Sequence, residues 1–391
     1  MREALQLLHH RVEERYPAYV AELAELVAID SGSDDGAGVT RVGDRVADLL
    51  TELDMTVERP RGVGEDGTAS APAVVGRWQG QGRLRVLLVG HLDTVFATGT
   101  AAARPYAEAD GHATGPGVCD DKGGLLAGVF ALDALRDSGW DDYACVTFVA
   151  VPDEEIGSPA SRALLASLAA EHDIALCLEC AREDGRIVVG RKGVVDVVLD
   201  VSGRSAHAGV EPERGVNAAV AAARLTMDLA ALNGRWADVT VNVGVLRAGD
   251  RPNVVPSSAS VVADVRAASP VSFAEVIEAI ESMADLASVD GVTVKVALEA
   301  PAPPWAPDEA SRRVADVAGA VAAELGIDLG FALTGGAADA NLLAADGMVV
   351  LDGLGPVGGD DHSLTEWLDL SSVVPRVTLL AGLLVELGRS R

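Results

Sequence analysis

Positive charge is scarce in this chain. Of its 391 residues, 31 are Lys or Arg and 59 are Asp or Glu, so the net charge is -28. Lysine occurs only at positions 122, 192 and 295, and nearly all the positive charge is therefore arginine. A chain this acidic attracts neither nucleic acid nor an anionic membrane surface. We expect neither as a partner.

Long apolar segments and a cysteine framework are also lacking. No uncharged apolar run approaches the roughly 18–20 residues that cross a bilayer. The first eleven residues carry charges where a signal peptide has an apolar centre, so we expect a cytoplasmic protein. The 4 cysteines show no disulfide scaffold, and one Cys177-Leu-Glu-Cys180 spacing is weak evidence for a zinc or redox site. We expect them to be buried thiols.

Short Val, Leu and Ile runs recur along the first half of the chain, and several end in polar residues. The run at 83–90 precedes His91 and Asp93, that at 145–151 precedes Glu154 and Glu155, and that at 174–178 precedes Glu179. Such runs are typical of parallel strands buried on both faces. They alternate with helical patterns from about 74 to 180 and again in 305–391, which predicts an α/β fold with a doubly wound, mostly parallel sheet.

The middle of the chain has a different pattern. Apolar and polar residues alternate at 194–201, 239–245, 260–266 and 292–298, and helical patterns occupy 217–232 and 273–287. This strand-helix-strand-strand-helix-strand order predicts a ferredoxin-like α/β sandwich. We therefore expect a catalytic domain made of 1–191 and 305–391, with 192–304 inserted into it.

The polar residues at the strand ends predict a metal site. Ligands of open α/β sheets bind beyond the carboxyl ends of the strands, and His with carboxylates suits zinc. His91 and Asp93 share a strand face, so Asp93 can orient the imidazole. Glu154 and Glu155 point to opposite sides, so that one can bind metal while the other contacts the reacting water. Each pair alone is also compatible with a solvated turn, and only the combination indicates a metal hydrolase.

Two further segments join this set. Asp120 and Asp121 precede a predicted helix at 122–140, where a carboxylate can bridge two metals or simply stabilise the helix N-terminus. His362 stands in a Gly-rich return near the C-terminus. The Gly-rich string 115–124 matches neither the dinucleotide-binding nor the P-loop pattern, which excludes a nucleotide-dependent enzyme.

These residues lie in short sequence motifs that follow one another along the chain in a recognisable order. The motifs are Gly90-His-Leu-Asp-Thr-Val95, Gly115-Pro-Gly-Val-Cys-Asp-Asp-Lys-Gly-Gly124, Asp153-Glu-Glu-Ile-Gly-Ser158, Ser205-Ala-His-Ala-Gly209, Gly335-Gly336 with Asp339, and His362-Ser363. The set resembles the zinc-dependent aminoacylase and carboxypeptidase family of metallopeptidases, and within it the bacterial glutamate carboxypeptidase branch.

The resemblance implies two Zn²⁺ per chain, with Co²⁺ or Mn²⁺ as substitutes. By it, His91 and Glu179 would bind one ion, Glu155 and His362 would bind the other, and Asp120 would bridge them. Asp93 would orient His91, and Glu154 would be the general base.

The resemblance also implies a homodimer and a substrate with a carboxylate. The inserted domain would dimerise and act as a lid, and its His207 would reach the partner subunit's active site to polarise the scissile carbonyl. Asn253, Arg266, Gly335 and Gly336 would bind the substrate.

Three positions depart from the glutamate-specific relatives. Ala302 replaces an Arg, Val188 replaces a substrate-contacting Ser, and Ala337 replaces the third Gly of a Thr-Gly-Gly-Gly run. These changes leave the metal chemistry intact and argue against glutamate specificity.

The expected reaction is hydrolysis of the amide bond of a small peptide or N-acyl amino acid with a free α-carboxylate, in the manner of a carboxypeptidase. A deacylase acting on N-acyl amino acids in a biosynthetic pathway stays open as an alternative. A non-catalytic, metal-stabilised binding protein of the same fold is a further alternative, but the chain retains Glu154 and every ligand position.

Overall fold

The computed structural model describes residues 2–64, 67–288 and 291–389. It divides into two compact units, of which the first consists of Met1–Val189, Pro307–Leu333 and Ala338–Arg391. The second consists of Gly190–Ala306 and Thr334–Ala337. The inserted range expected from the sequence, 192–304, lies inside the second unit. Residues 334–337, placed with the catalytic domain by sequence, group with the second unit.

The first part of the chain builds most of the first unit. Its elements are α1 (Arg2–Val27), α2 (Gly36–Glu52), β1 (Thr56–Glu58), β2 (Arg61–Val63), β3 (Ala69–Pro72), β4 (Val74–Gln79), β5 (Arg85–His91), α3 (Thr100–Ala103), β6 (Ala107–Ala109), β7 (His112–Thr114), α4 (Lys122–Arg136), β8 (Cys145–Val151), α5 (Arg162–Glu171) and β9 (Ile174–Cys177).

The remaining elements begin where the chain passes into the second unit. They are β10 (Ile187–Arg191), β11 (Gly193–Ser202), α6 (Ala218–Ala230), β12 (Thr240–Ala248), β13 (Ser258–Ala267), α7 (Pro270–Ala287), β14 (Thr293–Ala302), α8 (Glu309–Leu325), β15 (Phe331–Thr334), α9 (Asp339–Ala345), β16 (Val349–Leu351), β17 (Gly358–Gly359), β18 (Trp367–Asp369) and α10 (Leu370–Arg389).

The central sheet of the first unit has the order β1-β4-β8-β5-β9-β16. β8, β5, β9 and β16 run parallel, and β4 is antiparallel to β8. The structure therefore confirms the predicted mostly parallel α/β sheet. Because β5 lies between β8 and β9, the residues after these three strands meet at one edge of the sheet.

The second unit contains a four-stranded antiparallel sheet in the order β12-β13-β11-β14. Along β13, buried residues alternate with partly exposed ones, and β11 shows the same alternation. The inward side chains pack with α6 and α7 in a core separate from that of the first unit. The structure thus has the predicted ferredoxin-like order of elements.

One helix start differs from the expectation. The sequence places the second helix at 40–55 after a turn at 30–36, whereas α2 spans Gly36–Glu52. The side chain of Asp35 accepts a hydrogen bond from the Gly38 N–H at 2.9 Å and caps the helix. The small residues after Asp35 conceal this start, because they carry little apolar period.

The last helix, α10, is both long and apolar. Among the described residues, only α10 is long and apolar enough by composition to cross a membrane, and 72% of its most apolar stretch is buried inside the protein. It packs against α1, α4 and α8. All four cysteines are buried and none is in a disulfide, as expected.

Candidate metal centre

Polar side chains from five segments of the first unit meet at the carboxyl edge of its central sheet. His91 is the last residue of β5, Glu154 and Glu155 lie in a helical turn after β8, and Glu179 follows β9. Asp120 precedes α4, and His362 lies between β17 and β18 with a φ of 62°. The structure therefore brings every predicted metal ligand together.

Asp120 lies between the two imidazoles. Its Oδ1 is 2.9 Å from His91 Nε2, and its Oδ2 is 3.3 Å from His362 Nε2. One carboxylate thus faces a nitrogen ligand on each side. This is the arrangement required of a ligand shared by two metal ions.

Each imidazole also approaches a glutamate of its own. His91 Nε2 lies 3.8 Å from Glu179 Oε1, and His362 Nε2 lies 3.1 Å from Glu155 Oε2. His91 also belongs to two groups of donor atoms that lie within 4.8 Å of one another, one with Glu154 and Glu179 and one with Asp120 and Glu155. A carboxylate oxygen of Glu154, the predicted base, therefore lies within 4.8 Å of His91 and of Glu179.

Asp93 organises the loops behind His91. The His91 Nδ1 atom is 3.0 Å from the Asp93 carbonyl oxygen and 3.4 Å from its carboxylate. The same carboxylate accepts hydrogen bonds from the Ser33 hydroxyl at 2.7 Å and from the backbone N–H groups of Glu154 and Glu155 at 3.1 and 3.2 Å. Asp93 therefore positions the turn that carries both glutamates in addition to the imidazole.

The electrostatics of the cluster favour positive charge inside it. Burial would lower the pKa of His91, but hydrogen bonds to Asp120 and Asp93 raise it well above its usual value. Hydrogen bonds to Asp120 and Glu155 raise the pKa of His362 to about 10. Burial, followed by the charges of Glu179 and other acids, raises the pKa of Glu154 well above its usual value. The carboxylates are thus crowded, and a cation bound among them would offset their mutual repulsion.

The donor set fits a pair of zinc ions. Two imidazole nitrogens, a shared carboxylate and separate glutamates are the nitrogen and oxygen ligands that zinc takes in catalytic sites. A divalent cation held by these nitrogens would supply the positive charge that the crowded acids require.

Residues 87–386 match the family described as peptidase family M20/M25/M40. The chain belongs to this family. It is 31% identical to carboxypeptidase G2 of Pseudomonas sp. (strain RS-16) over 388 residues, which cover 98% of this chain and 93% of that protein. It is 30% identical to acetylornithine deacetylase of Myxococcus xanthus over 274 residues, which cover 65% of this chain and 68% of that protein.

Solved structures share the fold of this M20 chain. A tripeptidase from Staphylococcus aureus subsp. aureus Mu50 superposes with a TM-score of 0.81 at 20% identity, covering 96% of this chain and 99% of that one. Family membership and these relatives confirm the predicted enzyme class, a metallopeptidase or amidohydrolase, and the family depends on metal.

The predicted substrate residues of this M20 chain lie in the second unit. Arg266 is held by Asp264, which accepts from Nε and Nη2 at distances of 2.9 to 3.1 Å. Arg266 Nη1 donates to the Gly335 carbonyl oxygen at 2.8 Å, and Arg191 donates to that of Gly336 at 3.2 Å. The structure thus brings Arg266 to the Gly335-Gly336 turn.

His207 and Asn253 form the other grouping in that unit. His207 pairs as an isolated β-bridge with Val254, and the Asn253 carbonyl oxygen accepts from the Ala208 N–H at 3.1 Å. Both side chains are exposed. The Gly209 N–H donates to His207 Nδ1 at 3.2 Å, so a neutral ring carries its proton on Nε2.

Glu366 is a residue of the centre that sequence reasoning missed. Its fully buried carboxylate accepts from the backbone N–H groups of Gly117, Cys119 and Asp120 at 2.9, 3.0 and 3.2 Å. Burial raises the pKa of Glu366 to about 7. It positions the loop that carries Asp120 from 246 residues away. An acid in the polar stretch before β18 gives no local signal of this contact.

Proposed function

We propose that this chain is a dinuclear zinc amidohydrolase that cleaves the amide bond of small peptides or N-acyl amino acids with a free α-carboxylate. The observation that carries the proposal is the position of Asp120, with one oxygen facing His91 and the other facing His362. A carboxylate placed in this way suits a two-metal hydrolase.

The ligand roles follow the pairs in the structure. His91 and Glu179 would hold one zinc ion, Glu155 and His362 the other, and Asp120 both. When bound, the ions supply Lewis acidity toward the scissile carbonyl and lower the pKa of the attacking water. Co²⁺ and Mn²⁺ suit the same nitrogen and oxygen donors.

Glu154 is the proposed general base. Burial raises the pKa of its carboxyl group, and a raised pKa favours a group that accepts a proton and then returns it. The carboxylate would take a proton from water and deliver it to the leaving nitrogen. Asp93 keeps Glu154 in place, since its carboxylate accepts from the Glu154 N–H.

Arg266 is the proposed partner of the substrate α-carboxylate. Three of its five N–H groups are engaged by Asp264 and the Gly335 carbonyl, which leaves one on each terminal nitrogen. Two such N–H groups in one plane match the two oxygens of a carboxylate. Asn253 and the amides of Gly335 and Gly336 are proposed as additional substrate contacts.

The second unit is proposed to form a homodimer. The exposed His207 then acts on the partner subunit's substrate, where its Nε2–H polarises the scissile carbonyl. Support comes from the exposure of the ring and from its hydrogen bond with the Gly209 N–H, which leaves the outer nitrogen as the donor. The cytoplasm is the proposed compartment, because four buried thiols suit a reducing environment.

Deacylation of N-acyl amino acids is the second candidate. The same bond type is broken, and the 30% identity to an acetylornithine deacetylase favours it. The two candidate activities differ in which half of the substrate the enzyme mainly recognises, either the leaving amine or the acyl group.

Hydrolysis assays with metal analysis test the proposal. Protein dialysed against chelator and reloaded with Zn²⁺, Co²⁺ or Mn²⁺ is assayed on dipeptides and N-acyl amino acids, with C-terminally amidated versions as controls. We expect about two metal ions in the centre, loss of activity with chelator and refusal of amidated substrates. Activity unaffected by metal removal would overturn the proposal.

Side-chain preference is the finer part of the proposal. Ala302, where glutamate-specific relatives have an Arg, is buried in the second unit. A substrate carboxylate left without a cation is penalised by several kcal/mol. We expect N-acyl-Ala and N-acyl-Leu to be cleaved with higher kcat/KM than N-acyl-Glu. A tenfold higher kcat/KM for the glutamate compound would contradict this interpretation of Ala302.

A further inference from the structure

A second group of possible metal ligands lies in the first unit, next to the candidate metal centre. Cys119 Sγ, Cys180 Sγ and an Asp361 carboxylate oxygen all lie within 4.8 Å of one another. Asp361 Oδ1 is 3.5 Å from Cys119 Sγ and 3.7 Å from Cys180 Sγ. None of these three side chains has a role in the proposed hydrolysis.

The separations suit one tetrahedral ion. With metal–sulfur bonds of about 2.3 Å and metal–oxygen bonds of about 2.1 Å, a tetrahedral angle separates sulfur from oxygen by about 3.6 Å. The two distances from Asp361 Oδ1, 3.5 and 3.7 Å, lie on either side of this value. The two sulfur–oxygen separations therefore suit one shared cation, and the two sulfurs lie within 4.8 Å of each other.

The surroundings hold the group in place. Cys119 and Cys180 are 1% and 6% exposed. A Cβ built on Gly358 would lie 2.9 Å from Cys119 Sγ, so this neighbour fits closely against the thiol. Asp361 is partly exposed and gives a fourth position access to water, as three-ligand zinc sites require.

The charges also balance. Two thiolates and one carboxylate carry three negative charges, and a divalent cation leaves one. Arg182 Nη1 lies 3.8 Å from Asp361 Oδ2, the oxygen turned away from the sulfurs. The guanidinium can therefore offset the remaining charge without occupying the position between the three donor atoms.

We propose that Cys119, Cys180 and Asp361 form a third cation site that takes a thiophilic ion such as Zn²⁺. Sulfur ligands distinguish it from the dinuclear centre, whose proposed ligands are nitrogen and oxygen, and they select soft cations.

The site has a consequence for the centre beside it. Each ligand is the chain neighbour of a proposed catalytic ligand, since Cys119 precedes Asp120, Cys180 follows Glu179 and Asp361 precedes His362. An ion bound there ties together the three loops that carry those ligands.

Cadmium titration of the whole, reduced protein tests the proposal, because cadmium bound by thiolate absorbs in the ultraviolet and cadmium bound by nitrogen and oxygen does not. We expect thiolate absorption in the wild type and about three ions per chain at saturation. Cys119→Ser and Cys180→Ser should each lose most of the absorption and one ion. Cys145→Ser, which changes another buried thiol, should keep both.

Two further variants keep the test decisive. Asp361→Asn retains both sulfurs, so it should keep the absorption but need at least about tenfold more cadmium, which separates ligand loss from misfolding. His91→Ala should keep the thiolate absorption while losing ions from the dinuclear centre, so that failure of the proposed function is distinguishable. Absence of thiolate absorption in reduced wild type, or its persistence in the Cys119→Ser, Cys180→Ser double variant, would overturn the third site.

Discussion

In the first unit every residue of β8 is buried, and in β5 every residue after Arg85 is buried. In the second unit β11 and β13 bury only every second residue. A strand buried on both faces has room for a charged side chain only near its ends, so His91 and the turn with Glu154 and Glu155 lie together at one edge. Chemistry in the first unit is therefore concentrated at the ends of its strands.

A strand buried on one face has polar positions along its length. Asp264 and Arg266 lie on the partly exposed face of β13, next to each other in the two-residue period. Their contact is local, and its energy does not depend on sheet order. The second unit can thus offer recognition groups to a substrate or a partner without a convergent buried site.

A substitution of Glu154, the proposed base in the buried cluster, should give the largest effect of this difference between the two units. Glu154→Gln keeps the size of the side chain but cannot accept a proton, so we expect kcat to fall by at least about 10²-fold. Metal content should stay at the wild-type level. Glu171→Gln, a change at an exposed residue at the end of α5, should have wild-type kcat. Loss of metal together with activity would instead make Glu154 a ligand.

Neighbouring residues on one strand test the two burial patterns. Leu87 and Leu88 of β5 are both fully buried, so Leu87→Ala and Leu88→Ala should each lower the free energy of unfolding by about 2–5 kcal/mol. In β11, Val197 is fully buried while Val198 is half-buried. Val197→Ala should cost about 1–3 kcal/mol and Val198→Ala about 0.5 kcal/mol or less. Urea unfolding curves measure each value, and equal losses at Val197 and Val198 would contradict the alternation.

Mixing two inactive variants tests whether the second unit acts on a partner. Glu154→Gln chains and His207→Ala chains are combined under conditions of subunit exchange. In a random mixture half of the dimers are mixed, and each holds one intact site, so about a quarter of wild-type activity should return. Recovery below about 5% in a mixture with demonstrated heterodimers would place His207 outside the partner's catalysis.

The smallest expected effect concerns a polar group near the amino end of β9, opposite the metal edge. Burial lowers the pKa of His172, whose ring bonds to the Leu168 carbonyl and the Thr147 hydroxyl, each at 2.7 Å. The unfolded chain therefore binds this proton more readily, so stability should fall as pH drops below about 6.5. His172→Gln should weaken that pH dependence when urea midpoints at pH 7.5 and 5.5 are compared. An unchanged difference would show that His172 does not contribute.

Local patterns in the sequence were sufficient to predict much of the fold. The apolar run before His91 and the alternation at 260–266 each predict their strand type, because side-chain period reflects how many faces are buried. The start of α2 at Gly36 was missed, since its first turn has small residues and depends on the Asp35 cap. The resemblance to metallopeptidases predicted five metal ligands, and the structure brings these five side chains close together.

The sequence by itself determined which residue types stand at the strand ends and which family the chain belongs to. Only the tertiary structure decided how those ends are ordered, with β5 between β8 and β9, and hence which oxygen of Asp120 faces which imidazole. It alone placed Glu366 under the Asp120 loop and Cys119 beside Asp361, 242 residues further on. Such contacts depend on strand order and on the paths of the loops, so the local periodicity of the sequence does not predict them.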